Sequence, residues 1–149
     1  MNEAVSAPKS APLLFWIVSV VSLLWNGFGG YDYVMTRQRN IEYLSQMGNA
    51  NDILAWVDSF PMIAQIFWPI GVWASVLGSV LLLLRSRHAV LTFLISLVGA
   101  VVSFGFQMTV AVPASMVSPA NKLLPIAIVV VILLLWWYSR RQVAAGVLH

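Results

Sequence analysis

Residues Pro61–Val112 read PMIAQIFWPIGVWASVLGSVLLLLRSRHAVLTFLISLVGAVVSFGFQMTVAV, two long apolar runs split by Arg85-Ser86-Arg87-His88. A helix needs about 20 residues to cross roughly 30 Å of hydrocarbon, and each run meets that length with room for tilt. Neither run shows the strict alternation of a transmembrane strand. The link is so short that the two helices must lie antiparallel and adjacent. Small residues recur along both: Gly71, Ser75 and Ser79 with Ala74 and Gly78 beside them, then Ser96, Gly99, Ala100 and Ser103. Such ridges let two backbones approach closely.

Two further apolar stretches flank this pair. Leu13–Gly30 reads LLFWIVSVVSLLWNGFGG, and Leu123–Ser139 reads LLPIAIVVVILLLWWYS. The expectation is an all-α polytopic membrane protein, one domain over 1–149, forming a four-transmembrane-helix bundle. Its spans fall at about 13–31, 61–84, 89–112 and 123–139, the fourth slightly short, with an external loop over about 32–60. Composition agrees: of 149 residues 60% are hydrophobic and 9% charged, against about 25% charged in soluble domains. A small soluble domain has too little interior for so much apolar surface. The first stretch, preceded by Lys9, has no A-x-A-like cleavage site after Leu24 and reads as an uncleaved signal anchor.

The formal net charge of +3 does not imply a nucleic-acid partner, because the basic residues sit in short clusters at the ends of apolar segments. With the N-terminus inside, Lys9, Arg85, Arg87, Arg140 and Arg141 are cytoplasmic, against Arg37, Arg39 and Lys122 outside. Arg85, Arg87, Arg140 and Arg141 decide the orientation, since short loops beside helix ends weigh most. Both termini are then cytoplasmic. Trp136, Trp137 and Tyr138 supply an interfacial belt beside Arg140.

The external loop has helical pattern of its own. Val34, Ile41 and Leu44 share a face, so the first helix is expected to run outward until Gly48 caps it. Asn49 offers an N-cap, with Asp52 three residues on. Ile53, Trp56, Val57 and Phe60 then form a stripe suited to a short helix on the membrane surface. Pro61 would open the second span.

Few residues invite chemistry. Asn26, Gly30, Tyr33 and Arg37 fall on one face of the first helix, either lining an outward cavity or placing Asn26 in an interhelical hydrogen bond, with Gly27, Gly29 and Gly30 permitting close packing. Asp32 continues the apolar run, and a membrane carboxylate suggests proton or cation coupling; its place at a helix end favours instead a solvated, interface-level carboxylate. Arg37 and Arg39 are poorly spaced to pair with it inside one helix. Asn26, Gln65 and Gln107 are expected in the outer half at similar depth, as a solute site or a structural amide network. The chain has no cysteine and only His88 and His149 as histidines, and it lacks the common catalytic, phosphate-binding and metal-binding motifs. The expectation is therefore no enzyme, no metal and no cofactor.

Leu23–Leu44 (LLWNGFGGYDYVMTRQRNIEYL), the aromatic-rich start of the second span, and Gly78–Val90 (GSVLLLLRSRHAV) resemble a group of small bacterial four-helix membrane proteins that carry the label "sugar transporter". The resemblance implies a bacterial inner membrane, with the outer side periplasmic, and maps no substrate residues onto this chain. Two functions are compatible with these features. One is a non-catalytic accessory, assembly or regulatory partner, bound to lipid and to another membrane protein or to itself. The other is a small-solute transporter acting as an oligomer.

Overall fold

The computed structural model describes residues 9–149. Four helices are long and apolar enough to cross a membrane: α1 (Leu13–Arg37), α4 (Met62–Leu83), α5 (Ala89–Gln107) and α6 (Pro119–Ala144). Between α1 and α4 lie two shorter ones, α2 (Ile41–Leu44) and α3 (Ala50–Asp58), and a 3-10 turn at Ala114–Met116 precedes α6. No strand occurs among the described residues. The α4 and α5 helices share the largest interface, α1 packs on the free side of α4, and α6 packs on the free side of α5. The helices thus stand in a row, α1–α4–α5–α6, with the α4–α5 turn at one end of the helix axes and α2 and α3 at the other. These are called below the turn end and the cap end.

The α4–α5 seam follows from the small-residue ridges. A Cβ on Gly99 would stand 2.6 Å from Gly71 N, and one on Gly71 would stand 2.9 Å from Ala100 N, so the backbones touch. Ser96 Oγ donates across the seam to Gly71 O at 2.7 Å, and Ser103 Oγ to Ala64 O at 3.3 Å. Gly78 accommodates the Phe93 ring. Buried polar side chains gather inside, among them Ser19, Ser22, Asn26, Ser75, Ser79, Ser96, Ser103 and Ser139. Large apolar residues such as Leu24, Leu77, Val101 and Leu134 face outward. A small, hydrogen-bonded interior and an apolar exterior suit a hydrocarbon solvent.

Helix boundaries differ from the sequence expectation at every span. The first helix runs past residue 31 to Arg37, and α4 occupies 62–83 with Pro61 as N-cap rather than first helical residue. The third helix stops at Gln107, short of 112. The fourth is not short: Ser118 accepts a hydrogen bond from Asn121 N, Pro119 starts the helix, and it continues through Arg140 and Arg141 to Ala144. Arginines near a helix end keep helical backbone and extend their charge outward.

Gly48 is not the cap of an extended first helix. That helix ends at Gln38, and Arg39 adopts φ +57°; Arg39 N bonds Thr36 O and Asn40 N bonds Met35 O, a Schellman turn. Asn40 then caps α2 through Tyr43 N, and Asn49 caps α3 through Asn51 N and Asp52 N as expected. The α3 stripe faces protein rather than a membrane surface. Ile53, Val57 and Phe60 are buried with Leu44, Leu54 and Ala64, covered by Trp68, Val110 and Met116. Edge-to-face rings run from Trp56 to Phe60 to Trp68 to Tyr33, tying the cap to α4 and α1.

Gly27 and Gly29 also depart from expectation. A Cβ at either meets nothing within 4 Å, and only Gly30 packs closely, against Trp73 and Val76. We expect Gly99→Ala to lower stability in detergent by about 1–3 kcal/mol through backbone overpacking. Gly27→Ala and Gly29→Ala should leave it unchanged or raise it by up to about 1 kcal/mol, because α1 gains helix propensity. Thermal unfolding followed by circular dichroism separates the two outcomes, and a tolerated Gly99→Ala would refute the seam.

Candidate functional site

Asn26 sits on the face of α1 that meets α4. Its Nδ2 donates to Ser79 Oγ at 2.8 Å and lies 3.5 Å from Ser22 Oγ, while Ser22 and Ser79 share a hydrogen bond of 2.6 Å. Ser79 Oγ also bonds Ser75 O on its own helix at 3.0 Å. All of these groups are buried. Asn26 is thus buried in an interhelical hydrogen bond between α1 and α4.

Gln107 belongs to another interface. Its Nε2 donates to Ser103 Oγ at 2.8 Å, beside Ala64 at the cap end of α4. Gln65 Nε2 donates to Phe60 O at 3.1 Å, across the start of α4. No hydrogen bond joins any two of Asn26, Gln65 and Gln107. Their depths differ as well: Ser79 lies fifteen residues beyond Ala64 along α4, about 22 Å at 1.5 Å per residue. Asn26 is thus nearer the turn end, whereas Gln65 and Gln107 are at the cap end. The expected cluster of three carboxamides at one depth does not form.

The cap end brings together charges that the sequence left separate. Asp32 Oδ1 accepts from Tyr43 Oη at 2.8 Å, so its partner comes from α2 and is neither Arg37 nor Arg39. Burial, reinforced by that bond, raises the Tyr43 phenol pKa and keeps the hydroxyl a donor. Arg39 instead forks onto Asp58, with Nη1–Oδ1 and Nη2–Oδ2 both at 3.0 Å. The guanidinium holds the Asp58 carboxyl below the ordinary carboxylate range. Beside this pair lies a polar recess of about 220 Å³, lined chiefly by Thr36, Arg37, Arg39, Asp58 and Gln65.

The turn end is organised by Arg85. It takes φ +58° after the end of α4, where Arg85 N bonds Leu82 O and Ser86 N bonds Leu81 O. Its side chain then clasps the segments before α1 and after α6: Nε donates to Val147 O at 3.0 Å and Nη2 to Lys9 O at 2.6 Å. His149 pairs through its backbone with Arg85 O and Arg87 N. Arg140 and Arg141 stack on Trp136 and Trp137 at 5.0 and 4.7 Å. A second recess, about 470 Å³, opens beside Arg87 and Arg140. Among the described residues no three His, Asp or Glu side chains gather as a metal site would require.

Ser22, Tyr43 and the Arg39–Asp58 pair were not read as site residues from sequence. Ser22 had a signal, since it precedes Asn26 by four residues on one helical face. Tyr43 had none, because its contact depends on the turn at Arg39.

Two outcomes follow. Asn26→Leu should cost about 1 kcal/mol, and Ser79→Ala should remove most of that difference in a double-mutant cycle; additive effects would contradict the network. The lowered Asp58 pKa gives stability that is present above the ordinary carboxylate value of 3.8 and lost as pH falls through its lowered value. Wild type and Asp58→Asn should therefore melt apart at neutral pH and converge in acid below 3.8, with a small difference because both partners are half-exposed. A gap that persists in acid would rule out this pair as its source.

Compared with protein-family models, with curated proteins and with solved structures, the chain matches none.

Proposed function

We propose that this chain is a multi-pass membrane protein with its turn end and both termini in the cytoplasm and its cap on the opposite face. We further propose that it acts without catalysis, as an accessory, assembly or regulatory partner of a membrane complex. The resemblance noted in the sequence suggests the bacterial inner membrane as the location.

One observation carries this proposal. The polar side chains inside the four long helices are engaged within the chain: Asn26 by Ser79, Ser96 by Gly71, Ser103 by Ala64 and Gln107 by Ser103. The outward faces of α1 and α6 remain apolar, and only 11% of the most apolar window of α6 is buried. Those faces suit lipid or another membrane helix. Solute transport by an oligomer draws its support from the polar recess at the cap end. At about 220 Å³, however, that recess is below the roughly 300 Å³ at which small-molecule sites usually begin.

The absence of cysteine makes orientation directly measurable. Single Ser45→Cys and Ala145→Cys variants should react with an impermeant thiol reagent from opposite sides of sealed vesicles. Purified in mild detergent, the chain should carry a second membrane protein in fixed stoichiometry, and liposomes holding the chain alone should take up no sugar. Sugar uptake abolished by Gln65→Leu, in a variant that still folds, would replace this proposal with the transporter.

A further inference from the structure

The recess of about 470 Å³ at the turn end lies between α5 and α6. Its rim is basic, formed by Arg87, His88 and Arg140, and its walls are apolar, formed by Leu91, Leu94 and Val143. The two kinds of surface are segregated. Arg87 and His88 precede α5 and Arg140 lies in the last turns of α6, while Leu91 and Leu94 run along the exposed face of α5 away from the turn and Val143 sits beyond Arg140 at the α6 end.

Among the described residues no Asp or Glu carboxylate pairs with the Arg87 or the Arg140 guanidinium. Arg87 N is bonded to His149 O at 3.1 Å, and the Arg140 guanidinium lies over the Trp136 ring. Among the described residues the one salt bridge is Arg39–Asp58 at the other end. A rim of this kind attracts phosphate, and the walls below it require a chain that cannot enter water.

We propose that this recess binds one anionic phospholipid of the turn-end leaflet. Its phosphate lies against Arg87 and Arg140, and an acyl chain lies along Leu91 and Leu94. An acidic peptide would satisfy the rim but leave the walls facing lipid. The proposal rests on the four helices spanning a bilayer; failure of that premise appears separately, as Ser45→Cys and Ala145→Cys labelling from one side only.

The test is native mass spectrometry of the full chain released from mixed micelles with equal phosphatidylglycerol and phosphatidylcholine. Wild type should retain phosphatidylglycerol several-fold above its share. Arg87→Gln and Arg140→Gln should each reduce that preference roughly fivefold, as expected for one arginine near a charged surface. The double Lys variant, Arg87→Lys with Arg140→Lys, should keep most of the preference, and so should Arg141→Gln, which lies outside the recess. Leu94→Trp should reduce retention of both lipids by filling the groove, and it probes the site without altering charge. Glycerophosphoglycerol, the same headgroup without chains, should not displace the bound lipid. Retention in the proportion supplied, a preference that survives both Gln substitutions, or equal competition by the chain-free headgroup would each overturn the proposal.

Discussion

The contact between Gly71 and Gly99 is the constraint on which the rest of the molecule depends. In hydrocarbon the hydrophobic effect does not drive helices together, so association relies on close packing and on polar groups that need partners. Backbones that touch bring both contributions at once. They maximise dispersion contacts between α4 and α5, and they bring Ser96 within 2.7 Å of Gly71 O and Ser103 within 3.3 Å of Ala64 O. With this hairpin fixed, α1 and α6 have one free flank each, and a row results. The polar interior has the same cause. A serine fits where a large apolar residue would separate the backbones, and its hydroxyl bonds a carbonyl in place of water.

The seam was legible because its small residues recur at helical spacing and because Arg85–His88 forces adjacency. Register was not. Hydropathy places a residue within a span but says nothing of how far one helix slides along its neighbour. Asn26 looked like an outer-half residue when counted along α1 alone. Packing of Gly30 against Trp73 and Val76, and of Tyr33 against Trp68, shifts α1 so that Asn26 meets Ser79 near the turn end. Gly27 and Gly29 failed for a related reason, since composition suggests close approach without saying which side of the helix has a neighbour. The α3 stripe was correctly apolar and wrongly assigned. An amphipathic pattern reports that one face avoids water, and both a membrane surface and the α4–α5 rim meet that need.

Two arginines terminate helices in a conformation usually left to glycine. For most residues the left-handed region costs roughly 1–2 kcal/mol, and both Arg39 and Arg85 occupy it. Each offsets that cost with bonds its side chain makes beyond the turn. Arg39 grips Asp58 and draws α3 onto the end of α1; Arg85 grips the carbonyls of Lys9 and Val147 and gathers the segments before α1 and after α6 onto the turn. A glycine could make either turn and neither connection. The cap end and the turn end are therefore tied by the same device with different partners, a carboxylate at the cap and backbone carbonyls at the turn.

That difference bears on what the remaining cations do. In the membrane orientation proposed above, sidedness follows the number of basic residues near each span rather than their partners in the folded chain. The fold divides them. Arg39 enters an ion pair, and the Arg85 guanidinium, still charged, is turned onto the carbonyls of Val147 and Lys9. Arg87, Arg140 and Arg141 have no carboxylate within salt-bridge distance among the described residues, and two of them are braced on indole rings. Within the orientation proposed above, the arginines that hold the turn end in the cytoplasm also face the anionic leaflet once folding is complete. On that proposal, the residues that set sidedness form, in the folded molecule, a basic surface suited to lipid headgroups.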